Sequence, residues 1–260
     1  MGGILGQPAL WTLTQGRLLV WMLVLVRLSG LLALLPGFGQ GRMPMPVKAA
    51  LAILVAMTIS PVVPVPAHLP TGIWDMVGLM VSEFATGLLL GLAVTWIVDC
   101  VGFAGHLMDF QMGFAFVQFM DPASGQPVSI SGSVLSQLTV LFLFISGLHH
   151  QMIIALVESF RVLPMGSGFH GQPLEIVELV GQILIRGFQL AFPVLFALFI
   201  VDVLEGISGK FMPQLQLIQL SFPIKISVGL GILGFILREF SSWLEPLFEA
   251  APRIALRLIR

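Results

Sequence analysis

Charge is what this sequence has least of. Lysine, arginine, aspartate and glutamate make up 10% of its 260 residues, against about 25% in an ordinary soluble domain. No lysine or arginine occurs between Val101 and Phe160. With charges this sparse, a second soluble domain has nowhere to be. The net charge of −1 offers nothing to nucleic acid or any other polyanion. Cysteine is nearly as scarce: the single Cys100 excludes an internal disulfide and a cysteine-based metal cluster. The amino-terminal stretch lacks a basic start ahead of an apolar core, so no cleavable signal peptide is read there. Neither common phosphate-binding glycine motif is present. His106 and Asp109 stand three apart, His149 and His150 are adjacent, and neither pair has a third ligand at metal spacing. Catalysis, a metal and a cofactor are therefore not expected.

Apolar residues fill the space: 57% of the chain is hydrophobic and the mean hydropathy is +1.01, which places it among membrane proteins. Long apolar runs cover Leu18 to Leu35, Val47 to Val63, Ile73 to Val101, Val134 to Val157, Leu174 to Val203 and Phe211 to Leu237. Read as six spans, they give a conflicting orientation. Arg42 and Lys48 put the first loop in the cytoplasm by the positive-inside rule, and alternation then puts the carboxy-terminal end outside. That end is nonetheless basic, with Arg253, Arg257 and Arg260, and the third connection has no basic residue. Charges inside the runs add a second anomaly. Arg27, Glu83, Asp99, Arg186, Asp202 and Lys225 lie within or at the edge of apolar stretches, where charges face a protein interior, a water path or each other. Three bases and three acids can pair, orienting helices or subunits. Gly87 and Gly91 are spaced for close helix packing. From Phe240 to Leu258 the apolar residues recur at three- and four-residue spacing, with Glu249, Arg253 and Arg257 on the other side and Glu249 able to pair with Arg253. That helix either lies on the membrane surface or docks a partner subunit.

The segment from Met108 to Gly132 fits neither a span nor a soluble loop. Phe110, Met112, Phe114 and Phe116 are apolar at every second position, Phe119 and Met120 come after them, and Asp109 and Asp121 bracket the run. Beyond Pro122 the chain turns to serine, glycine and proline. Methionine can fill an irregular gap, and a constriction lined by apolar side chains closes a passage by dewetting. The segment is read as a plug, sealed by Phe110, Met112, Phe114, Phe116, Phe119 and Met120, with Gly113 and the 122–132 loop allowing displacement.

Several stretches together resemble the FliR/SctT family of type III secretion export-gate proteins. They are RLSGLLALLPGFG at 27–39, MPVKAALA at 45–52, SEFATGLLLGL at 82–92, DFQMGFAFVQFMDPASG at 109–125, GLHHQMIIALVESFRVLPMG at 147–166 and PQLQLIQLSFPIKISVGL at 213–230. Lys210 stands where the family pattern has arginine, which keeps the charge. The resemblance implies one all-α export-gate domain over 1–260, built of membrane-associated helical hairpins. About 1–170 would be a FliP-like part carrying the plug loop 108–132, and about 171–260 a FliQ-like part. It implies a hetero-oligomer with FliP-like and FliQ-like subunits in the bacterial inner membrane, at the flagellar basal body. FlhB-like and FlhA-like components would work beside it, and unfolded flagellar proteins would pass through. A virulence-type injectisome subunit is the alternative, and a stand-alone membrane transporter a further one.

Overall fold

A computed structural model describes residues 8–38, 43–65, 72–114, 129–167, 173–211 and 217–259. Every regular element among them is helical: α1 (Pro8–Leu34), α2 (Met45–Ile59), α3 (Ile73–Met112), α4 (Ile130–Ile145), α5 (Leu148–Val162), α6 (Pro173–Phe211) and α7 (Leu217–Leu258). The all-α expectation holds. Local chemistry sets several of the boundaries. Pro46 sits in the first turn of α2, where its missing N–H costs nothing. Ser129 caps α4, its hydroxyl accepting from the Gly132 N–H at 2.9 Å. Between α4 and α5 lies Ser146-Gly147, with Gly147 at φ +73°, where one helix stops and the next begins. α6 runs through Pro193 and α7 through Pro223, Pro246 and Pro252, as apolar helices with protein neighbours can.

Six spans is an overcount. Among the described residues four helices are long and apolar enough to cross a membrane, α1, α3, α6 and α7, or up to five if the bent α4–α5 pair is one span. The reason is geometric. α2 has 15 residues, about 22 Å of helix at 1.5 Å per residue, short of a hydrocarbon core of about 30 Å. The run from Val134 to Val157 is broken by the turn at Gly147. The last apolar run and the amphipathic stretch behind it are one 42-residue helix.

The chain divides into two compact units. The described residues of unit 1 lie within 1–95, 147–177 and 248–260, those of unit 2 within 96–146 and 178–247. In unit 1, α1 and the first half of α3 meet without side chains between them. A Cβ on Gly87 would fall on the Arg27 carbonyl, and one on Gly91 would lie 2.9 Å from the Leu31 oxygen. The spacing of these glycines is thus a packing face, as the sequence suggests. Leu23, Val24, Leu28, Leu90, Val94 and Leu156 are buried in the same unit. In unit 2, Ile97, Val101, Ala104 and Met108 of α3 are buried, as are Leu135 and Leu143 of α4 and Leu190, Val194 and Leu198 of α6. The opposite side of α6 stays uncovered: Phe188, Phe192 and Phe196 are exposed, with ring centroids 6.0 and 5.9 Å apart along the helix.

Candidate gate segment and buried ion pairs

Arg27 on α1 is 1% exposed and Glu83 on α3 is 2% exposed, so each of these charges needs the other as a partner. The guanidinium Nε donates to Glu83 Oε2 at 2.6 Å, Nη1 to Ser159 Oγ at 2.9 Å and Nη2 to the Leu163 carbonyl at 3.2 Å. The Phe160 ring lies 3.9 Å from the guanidinium carbon, close enough for a cation–π contact. One side chain thereby joins α1, α3 and the carboxy-terminal end of α5. Arginine suits the task because its planar fork of five N–H donors reaches several acceptors at once.

In unit 2 the polar contacts gather where α3 ends. Asp109, 4% exposed, accepts from the Ser129 hydroxyl at 2.7 Å and from the Ser131 N–H at 3.1 Å. Two residues on, Gln111 Nε2 donates to Asp202 Oδ2 of α6 at 2.8 Å. The other oxygen of Asp202 is ion-paired with Lys225 of α7. Glu205, one helical turn beyond Asp202, accepts from Ser221 Oγ at 2.7 Å. Met112 is fully buried, and a Cβ on Gly229 of α7 would lie 2.7 Å from its sulfur. Gly113 then leaves the helix at φ +88°, a conformation that favours glycine, with the Phe222 ring 2.6 Å from where a Cβ would stand.

The period-two reading of this segment fails over the part the structure describes. Met108 to Met112 is the end of a 40-residue helix, and helical residues two apart point about 200° from one another. Phe110 is accordingly 71% exposed while Met112 is buried. Phe114 is half-buried. Phe116, Phe119 and Met120 lie outside the described residues, as does most of the 122–132 loop; its last three residues, from Ile130, open α4. Of the charges in apolar runs, Arg27 pairs with Glu83 and Asp202 with Lys225. Asp99 and Arg186 are both exposed, and no ion pair joins them among the described residues. Glu249 likewise makes none with Arg253; Arg257 instead approaches Glu175 at 3.9 Å. Ser129, Ser159 and Gln111 are invisible as partners in the sequence. Only Ser129 carries a local signal, a cap residue ahead of an apolar helix.

Long apolar helices with ionic sites buried between them define an all-helical integral membrane protein. The chain belongs to the family described as bacterial export proteins, family 1, whose model matches residues 18–251. It is 29% identical over 229 residues to the flagellar biosynthetic protein FliR of Pectobacterium carotovorum subsp. carotovorum, with 86% of each chain covered. To the protein of the same name from Escherichia coli K12 it is 26% identical, over 86% of this chain and 87% of the relative. The Yop proteins translocation protein T of Yersinia pestis is 25% identical, over 83% and 85%.

Proposed function

We propose that this chain is a non-enzymatic subunit of a type III protein export gate, serving the flagellum. The observation that carries the reading is its likeness, over most of both chains, to proteins named for flagellar biosynthesis. In this reading it joins FliP-like and FliQ-like subunits in the inner membrane at the flagellar basal body, its first 170 residues corresponding to the former and the remainder to the latter. FlhA-like and FlhB-like components act with it, and unfolded flagellar proteins cross the pore that the subunits enclose. The segment 108–132 holds that pore shut. Phe110, Phe114, Phe116, Phe119 and Met120 supply the seal, Met112 packs behind it, and Gly113 is the point where the chain leaves α3. The exposure of Phe110 at the end of a helix whose other faces are occupied supports this division of labour. Apolar bulk of this kind excludes water and ions without needing hydrogen bonds.

The test is isolation of the tagged protein from its native membrane. Co-purification of FliP-like and FliQ-like chains, and loss of flagellin secretion on deleting this gene, are the outcomes expected. A chain that purifies alone and transports a small molecule by itself would overturn the proposal. An injectisome role is the second reading, favoured by the likeness to the Yersinia translocation protein; restoration of motility in a flagellar deletion strain separates the two.

A further inference from the structure

We propose that Asp99 and Arg186, with Arg238 and Glu239 at the same level, form a docking tier for a helix of another gate subunit that carries both an acid and a base. The proposal rests on the gate reading and names the chemistry that holds the partner. Contacts within unit 2 place the tier. Asp202 pairs with Lys225 and Glu205 with Ser221, so α6 and α7 run in opposite directions. A Cβ on Gly187 would lie 2.8 Å from the Cys100 carbonyl, and Gln111 donates to Asp202, so α3 and α6 run in the same direction. Arg186 stands 16 positions before Asp202 on α6, and Arg238 13 positions after Lys225 on α7. Both therefore lie on one side of the Asp202–Lys225 pair, about 24 and 20 Å along the helices. Asp99 is level with Arg186, because each is one residue from the contact between α3 and α6.

All four charges of the tier are exposed, and none is ion-paired among the described residues. Asp202 and Lys225, at the other level, satisfy each other. The surface on either side of Arg186 is apolar. Leu184 and Ile185 precede it, Phe188 and Phe192 follow it, and each is more than half exposed. Water would leave those side chains uncovered, and lipid tails would strand the charges. The signs decide further. An anionic lipid surface attracts two guanidinium groups but repels two carboxylates. A protein helix with apolar side chains around one acid and one base meets both demands. The close approach at Gly187 fixes the spacing of Asp99 and Arg186, so the partner's counter-charges fit in one register.

Photo-crosslinking in membranes that carry the assembled export apparatus tests this. Benzoylphenylalanine in place of Leu184 or Phe188 flanks Arg186 and leaves every charge of the tier intact. Illumination should join this chain to an identified FliP-like or FliQ-like chain, and Arg186→Glu should cut that adduct at least tenfold. Should the Glu variant not accumulate, Arg186→Gln takes its place. Adducts with lipid alone, or an adduct that the charge change leaves untouched, would overturn the proposal. A second arm measures the complex recovered on a tagged FliP-like chain. Asp99→Asn and Arg186→Gln should each lower that recovery severalfold, and full recovery with both removes the docking role. Recovery restored by the exchange Asp99→Arg/Arg186→Asp would mean that the two residues serve each other, which also sinks the idea. The gate reading fails separately, when the unsubstituted chain brings down no FliP-like or FliQ-like subunit.

Discussion

Arg27 and Glu83 are both all but removed from solvent, and that changes what each is worth. A solvent-exposed pair such as Arg161 with Glu158, 3.3 Å apart, contributes about 0–1 kcal/mol, because water and salt screen it. A buried pair is different: it adds little over an apolar replacement, but losing one partner costs about 3–5 kcal/mol, since the other charge is left stranded. Glu83→Gln should therefore lower the thermal stability of the purified complex sharply, and Arg27→Met should do the same. In the double variant Arg27→Met/Glu83→Leu most of that loss should return. A residue of about 1–3 kcal/mol would remain, because the Ser159 hydroxyl and Leu163 carbonyl lose their donor. Thermal unfolding of the three variants in detergent checks the order. A double variant no better than the singles would mean that the pair is not what they disturb. Both members of this pair stand out in the sequence as charges in apolar runs. Their partnership does not, because 56 positions separate them. Asp99 and Arg186 have the same signature and are exposed, so a charge in an apolar run marks a place of interest without naming its partner.

At the level of elements, length decides more than composition. α3 has 40 residues, α6 39 and α7 42, which makes each about 60 Å long, roughly twice the hydrocarbon thickness of a bilayer. Such a helix cannot be embedded over its whole length without a steep tilt, so part of it stands in water or against protein. For α3 the exposed Trp74 lies near one end and His106 near the other. Single cysteines at these two positions, in a Cys100→Ala background, should give labelling by a membrane-impermeant maleimide at one end at least. Protection of both from either side of the membrane would require the full helix to be sheathed. The helical runs themselves are legible, since apolar stretches of this length have few alternatives. Breaks and joins are harder to see. Gly147 turns one apparent span into two helices, and α7 continues through three prolines where the change in pattern suggests a separate element. The alternation that begins at Phe110 imitates a period of two, yet Phe110 and Met112 stand on the last turn of a helix and face different ways. Gly113 is the one mark the sequence carries of that helix end, a glycine where the chain takes a positive φ.

On the scale of the whole molecule, the gate reading asks an apolar seal to resist ions while unfolded protein can still displace it. The two demands are compatible because they act through different contacts. Ion exclusion needs only that the narrowest ring stays dry, a property of apolar surface and width. Displacement needs the sealing residues to lack strong bonds of their own, whereas the residues just before them are held by Asp109, Gln111 and Met112. Replacing Phe110, Phe114 and Phe116 with serine, with Gln111 and Met112 kept, should thus leave the complex assembled and raise ion conductance, read as salt-dependent growth arrest or as current across a planar bilayer. Replacing Met112 alone with alanine should act differently. It opens a cavity under Gly229 and costs about 2–5 kcal/mol of packing, so the complex loses stability while Phe110 still faces outward. Equal conductance in the wild type and the Phe110/Phe114/Phe116 variant, with assembly intact, would put the seal elsewhere in the gate.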